Sequence, residues 1–138
     1  MISHLSLGVA NLKKSVEFYD HVLKTLGYKR LLTGESFAAY GNNHPMFWIN
    51  LPLDQKRAAS AGNGTHVSFV ANTQNDVESF YHAALDNGAT DAGPPGFRPE
   101  YAEGYFAAFV YDLDGHKIEA DYFLSPENEG EGADISSN

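Results

Sequence analysis

Cysteine is absent from this chain of 138 residues. Disulfides, thiolate metal centres and a cysteine nucleophile are therefore excluded. Basic residues are also scarce, because nine Lys and Arg stand against 18 Asp and Glu and give a formal net charge of -9. Nucleic acids and anionic membranes attract clustered cations, so the scattered basic residues of this chain argue against both as partners.

Long apolar runs are absent as well. No stretch approaches the length of a membrane span, and the opening MISHLSLGVANLKK lacks the regions of a signal peptide. We therefore expect a cytoplasmic protein without membrane contact. The last thirteen residues, PENEGEGADISSN, hold four acidic residues and no basic one, so residues 126–138 are expected to form a flexible acidic tail.

The order of predicted elements occurs twice along the chain. A first strand is followed by a helix that Asn11 can cap and Gly27 can end, and three short strands come next. After a polar, glycine-bearing linker, the same order begins again. The sequence thus predicts an α+β fold, in which two βαβββ modules form a cupped mixed sheet. The expected boundaries are 1–53 for the first module, 54–63 for the linker, 64–125 for the second module and 1–125 for the single domain.

Two pairs of short sequence words support this repeat. HLSL at His4 resembles HVSF at His66, and a Phe-Tyr pair follows each histidine after fourteen and fifteen residues. FAAY in the first module resembles FAAF in the second, and thirteen residues beyond each phenylalanine lies a polar residue that follows an isoleucine, Asn50 or Glu119. We therefore expect the two histidines to be equivalent, and Asn50 to be equivalent to Glu119.

The repeat predicts a metal site. Two modules packed about a pseudo-two-fold axis would bring the four positions together on the concave face of the sheet. Two neutral imidazoles and one carboxylate suit one divalent ion with open coordination positions, such as Zn, Ni, Mn, Fe or Co. His4, His66 and Glu119 are the predicted ligands. For Asn50, a structural hydrogen bond and a weak amide-oxygen ligand both remain open, and Glu119 taken alone could also lie on the wet face of its strand.

Further residues are candidates for binding a substrate. Trp48 shares the strand phase of Asn50, so it could line the cavity or belong to the core. The insertion GPPGFRPEYAEG makes the second module seven residues longer, and it could act as a lid that carries Arg98, Tyr101 and Tyr105 toward a substrate, or pack on a partner subunit. The other histidines are expected at the surface: His21, His44, His82 and His116.

The chain resembles the vicinal oxygen chelate superfamily, which includes glyoxalase I, thiol transferases, extradiol dioxygenases and bleomycin-binding proteins. The resemblance covers residues 1 to about 124, and it is carried by HLSLGVANLKKSVEFYDHVLKTLGY, GNGTHVSFV and YFAAFVYDLDGHKIEADYF. In metal-dependent members the ligands match His4, His66 and Glu119, and a fourth contributor matches Asn50. The resemblance implies the glyoxalase/bleomycin resistance/dihydroxybiphenyl dioxygenase fold.

It also implies an enzyme that chelates vicinal oxygens of a small oxygenated molecule through a divalent metal, as a lyase, dioxygenase or thiol transferase. Glu119 would be its catalytic ligand. Asparagine cannot move a proton, so Asn50 disfavours a standard glyoxalase I reaction. A non-catalytic binding protein of the bleomycin-resistance type is the alternative. Related proteins are often homodimers, and His4 of one chain could then meet His66 and Glu119 of another.

Overall fold

The computed structural model describes residues 1–124, so the tail predicted at 126–138 lies outside the described residues. Each half of the described chain contains one strand, one helix and three further strands, as predicted. The elements are β1 (Leu5–Gly8), α1 (Leu12–Lys24), β2 (Lys29–Thr33), β3 (Phe37–Gly41), β4 (Phe47–Asn50), β5 (His66–Val70), α2 (Gln74–Asp86), β6 (Thr90–Phe97), β7 (Tyr105–Tyr111) and β8 (Lys117–Phe123).

The strands form two four-stranded sheets, in the orders β1-β4-β3-β2 and β5-β8-β7-β6. In each sheet the first strand pairs in parallel with the last, and the other pairs are antiparallel. Both sheets are therefore mixed. The predicted α+β fold of βαβββ modules is confirmed, and each module builds a sheet of its own.

Local signals fix both helices. The Asn11 side chain accepts a hydrogen bond from the Lys14 amide, and the Thr73 side chain accepts one from the Asp76 amide. Such caps satisfy amides that the first turn of a helix leaves free. Neither helix of the described chain is long and apolar enough to cross a membrane.

One hydrophobic core lies between the helices and the inner faces of the sheets. It contains Phe18 of α1, Phe80 of α2 and the strand residues Ile49 and Ile118, all nearly inaccessible to solvent. The Phe47 ring of the first half meets a ring of the second, Phe69, at 5.0 Å. Because successive strand residues point to opposite faces, the residues between those core positions line the outer, open faces of the sheets.

The turn at residues 112–116 joins the two halves. The buried Asp112 carboxylate accepts hydrogen bonds from the amides of Asp114 and His116 and from the Tyr19 hydroxyl of α1, the last at 2.5 Å. Asp114 also accepts a hydrogen bond from the Ala10 amide. The turn that precedes β8 is therefore fixed to the first half of the chain.

The expectation of a surface position for His116 is wrong. Its side chain is buried, and Nε2 lies 2.7 Å from the Gly8 carbonyl oxygen. A carbonyl can only accept, so Nε2 carries the proton and donates it. The ring is buried because it joins β1 to the turn before β8, a contact between residues more than a hundred positions apart.

Part of the insertion that was expected to be a loop is a strand. β6 runs to Phe97 and includes GPPGF, and its register with β7 shifts on either side of Gly93. Proline is tolerated there because β6 is the edge strand of its sheet. Only residues 98–104 form the turn between β6 and β7.

Candidate functional site

Polar side chains lie side by side on the open face of the second sheet. The register places His66 beside Lys117 and Ser68 beside Glu119, and Phe109 lies opposite Glu119 on β7. His66 Nε2 is 3.2 Å from Glu119 Oε1. The pair predicted from the second module is therefore formed.

Glu119 is held from two sides. It is 2% exposed, and its second oxygen, Oε2, accepts a hydrogen bond from the Tyr105 hydroxyl. Burial, and then the hydrogen bond to Glu119, raise the pKa of Tyr105, so its hydroxyl remains a donor at neutral pH. The wet-face interpretation of Glu119 is wrong, because this carboxylate is buried and paired.

The His66–Glu119 pair fits a divalent metal in both chemistry and spacing. Two ligand atoms about 2.1 Å from one ion lie about 3.0–3.4 Å apart in octahedral or tetrahedral geometry, and the two donor atoms are 3.2 Å apart. Within residues 1–124 of a single chain, however, no group of three His, Cys, Asp or Glu side chains could hold an ion. One chain thus brings two candidate ligands together.

His4 lies on the first sheet's side of the molecule and does not join that pair. It is exposed, and its ring is 6.1 Å from that of Trp48. Trp48 also contacts Phe37, at 5.3 Å between ring centroids. Its indole N–H is buried and has no hydrogen-bond partner among residues 1–124. A buried donor without an acceptor is costly.

The observed register corrects one predicted equivalence. In each sheet the first strand pairs in parallel with the last. When the two histidines are taken as equivalent, this pairing determines which residue of β4 corresponds to which residue of β8. Trp48 then takes the place of Glu119, and Asn50 takes the place of Asp121. The predicted equivalence of Asn50 and Glu119 is therefore wrong by two residues. Asn50 donates a weak hydrogen bond to the Leu51 carbonyl, at 3.3 Å.

Asp121 was missed as a candidate. The Ser68 hydroxyl donates a hydrogen bond of 2.6 Å to it, so a second carboxylate lies two residues from Glu119 on the same face. The sequence signal that could have identified Asp121 was the alternation of Lys117, Glu119 and Asp121 in GHKIEADYF.

The insertion places its candidates around the same face. Arg98 follows β6 directly, and its guanidinium carbon is 5.6 Å from the centre of the Phe109 ring. Tyr105 opens β7 and bonds to Glu119. Tyr101 is 65% exposed in the turn, with its ring 6.0 Å from that of Tyr105.

An open cleft of about 420 Å³ adjoins His66. Its lining includes His66, Lys117, Tyr111 and the turn at residues 62–65. A small molecule in this cleft would lie within reach of His66 and Lys117 together.

Known proteins are similar to this chain along most of its length. The sequence model of the Glyoxalase/Bleomycin resistance protein/Dioxygenase superfamily matches residues 1–120. The metallothiol transferase FosB of Shouchella clausii is 30% identical over 118 residues, which cover 86% of this chain and 77% of that protein. FosB of Staphylococcus epidermidis is 28% identical, with coverage of 86% and 80%.

Solved structures agree with these sequence matches. A glyoxalase/bleomycin resistance protein from Albidiferax ferrireducens is 34% identical, with a TM-score of 0.78 over 86% of this chain and 95% of that one. The hypothetical protein SA1046 from S. aureus, at 21% identity, shares the fold with a TM-score of 0.66 over 86% and 90% of the two chains. This chain therefore belongs to the glyoxalase/bleomycin resistance protein/dioxygenase superfamily.

Proposed function

We propose that this protein is a divalent-metal-dependent enzyme that acts on a small oxygenated molecule. The observation that carries the proposal is the His66–Glu119 pair, whose donor atoms lie 3.2 Å apart beside an open cleft. A bound ion would act as a Lewis acid toward vicinal oxygens of the substrate. Tyr105 holds one oxygen of Glu119 and leaves the other directed toward His66.

The third ligand, His4, would come from a second copy of the chain. His4 directly precedes β1 and lies near Trp48 of the first sheet, whereas His66 and Glu119 lie on the second sheet. A homodimer in which the first sheet of one copy faces the second sheet of its partner would complete the set. It would also cover Val70 and Phe123, which are 64% and 48% exposed on the second sheet's open face.

Within the superfamily, we infer a thiol transferase rather than a lyase or a dioxygenase. The inference is supported by the metallothiol transferases at 28–30% identity. The first module also offers only Trp48 and Asn50 at the positions that correspond to Glu119 and Asp121. Neither side chain is a proton acceptor, so a reaction that needs a carboxylate on each side of the ion is less well supported.

Metal uptake tests the proposal. Purified protein should be stripped of metal, reloaded separately with Mn, Fe, Co, Ni or Zn, and assayed by elemental analysis. We expect about one ion per chain for at least one metal, and its loss in Glu119→Ala. Glu78→Ala, at an exposed position of α2, is the control and should bind like the wild type. A protein that takes up none of the five metals would instead be a metal-free binding protein.

A further inference from the structure

Three places in the sequence carry a glycine directly after an asparagine or an aspartate: Asn63-Gly64, Asn87-Gly88 and Asp114-Gly115. Glycine has no side chain to shield its amide nitrogen, and its backbone turns freely. The nitrogen can therefore reach the side-chain carbonyl carbon of the residue before it, and asparagine is thermolabile for this reason. Whether such a pair reacts depends on how firmly the fold holds its side chain and its amide.

The fold protects two of the three pairs. Asn87 Nδ2 donates a hydrogen bond to a carbonyl of α2 at 2.7 Å, and the Gly88 amide donates to another carbonyl of α2 at 3.2 Å. Asp114 accepts a hydrogen bond from the Ala10 amide at 2.8 Å, and the Gly115 amide donates to a carbonyl of its own turn at 3.1 Å. A reaction at either place must first break both hydrogen bonds.

The fold leaves the Asn63-Gly64 pair free. The Thr65 amide donates a hydrogen bond to the Gly62 carbonyl at 3.1 Å, so Asn63 and Gly64 are the central residues of a turn. Both are exposed, and Gly64 has a φ of +90°. Within residues 1–124, neither the Asn63 side chain nor the Gly64 amide takes part in a hydrogen bond. A Cβ atom at Gly64 would have no neighbour within 4 Å among the described residues, so the turn has room to change shape.

We propose that Asn63 is a modification site, at which spontaneous deamidation produces aspartate and isoaspartate in the lining of the cleft. The Gly64 nitrogen forms a bond to the side-chain carbonyl carbon of Asn63, the bond from that carbon to Nδ2 breaks, and ammonia leaves with the proton of the Gly64 amide. Water then opens the cyclic imide at one of its two carbonyl carbons, which yields aspartate or isoaspartate. The reaction consumes only water. This inference goes beyond the proposed function and does not depend on it.

The product changes the cleft. Asn63 lines it together with His66 and Lys117. Either product adds a negative charge to this lining, because both carry a carboxylate. Isoaspartate also adds one methylene to the main chain, in the turn that leads into β5. We therefore expect the surroundings of the His66 ring, at the first residue of β5, to change as the protein ages.

Ageing of the full chain in mildly alkaline buffer tests the proposal. Chymotryptic peptides separate the two asparagine sites, because Phe69 and Tyr81 lie between them, and electron-based fragmentation in a mass spectrometer distinguishes isoaspartate from aspartate. We expect both products at Asn63, since a cyclic imide opens on either side, whereas direct hydrolysis of the amide gives aspartate alone. In the folded protein Asn87 should react about ten times more slowly or slower still, because two hydrogen bonds must open first.

Unfolded protein and one variant are the controls. In guanidinium chloride the two sites should react at similar rates, because only the fold protects Asn87. Asn63→Ser, at an exposed position, should remove the fast reaction and leave the rate at Asn87 unchanged. Equal rates at Asn63 and Asn87 in the folded protein, or aspartate without isoaspartate at Asn63, would overturn the proposal.

The imidazole signals of His66 in NMR spectra test the effect on the cleft. Aged wild-type protein should show a second set of His66 signals whose intensity follows the fraction of product, and aged Asn63→Ser should show one set. His82 of α2 is the internal control, and its signals should stay single. One unshifted set of His66 signals in protein that is converted at residue 63 would contradict the change in the cleft.

Discussion

At the scale of single residues, the buried Glu119 carboxylate requires hydrogen-bond partners. A buried charge is costly unless it is paired. His66 and Tyr105 meet this need, one on each oxygen. Outer partners of this kind orient a metal ligand and tune its strength. We therefore propose that Tyr105 positions Glu119, and the substrate contact that the sequence suggested for it stays a prediction.

Replacing Tyr105 tests that positioning role. Tyr105→Phe leaves the ring and the His66–Glu119 contact in place but removes the donor to Oε2. We expect metal affinity to fall by about tenfold or more, with unchanged stoichiometry, as measured by competition with a chromophoric chelator. Tyr101→Phe, which changes an exposed hydroxyl in the same turn region, is the control.

A purely structural role would show itself differently. If the variant lowered the melting temperature of the metal-free protein while the metal affinity stayed at the wild-type value, Tyr105 would support the fold and would not position the ligand.

At the scale of elements, the turn at residues 112–116 holds the two halves in place through Tyr19 and Asp112. Burial, together with the Asp112 charge, raises the pKa of Tyr19 well above its ordinary value. The folded state therefore retains this proton where the unfolded chain has lost it. The stability that this tyrosine contributes is fully present below about pH 10, and it is lost as the pH rises from there toward the raised pKa.

Tyr19→Phe should remove that contribution. We expect a loss of about 1.5–3 kcal/mol in the free energy of unfolding at about pH 8, the usual range for a hydrogen bond to a charged group. The decline in stability above about pH 10 should also become shallower than in the wild type. Urea denaturation of both proteins at about pH 8 measures the loss of stability, and the same measurement above about pH 10 measures the decline. An equal decline in both proteins would contradict the assigned role of Tyr19.

The elements also indicate what the sequence could predict. The start of α1 follows from Asn11, because a cap acts locally, whereas α1 ends at Lys24, three residues before the predicted stop at Gly27. The correspondence of Asn50 with Asp121 could not be predicted, since a slip of two residues keeps every side chain on its face. The GPPGF part of β6 was read as a loop because proline and glycine usually mark one, and only its place at the sheet edge makes them tolerable.

At the scale of the whole molecule, the arrangement of the halves decides which chain completes the site. The sequence indicated His4, His66 and Glu119 through their spacing, but spacing cannot tell whether equivalent residues meet within a chain or between chains. Within residues 1–124 of one chain, the structure brings His66 and Glu119 together without His4. A dimer that places the first sheet of one copy against the second sheet of the other would account for all three.

Mixing two inactive variants tests this shared site. His4→Ala and Glu119→Ala should each bind little metal alone, because every site in either homodimer lacks one ligand. After joint unfolding and refolding in equal amounts, about half of the dimers would be mixed, and each would contain one intact site. We therefore expect about a quarter of the wild-type metal content per chain, with sedimentation showing a dimer. Refolding each variant by itself is the control. If the mixture binds no more metal than the variants do separately, the shared site is contradicted. Each chain would then build its own site, and the open faces of the sheets would not form one between two chains.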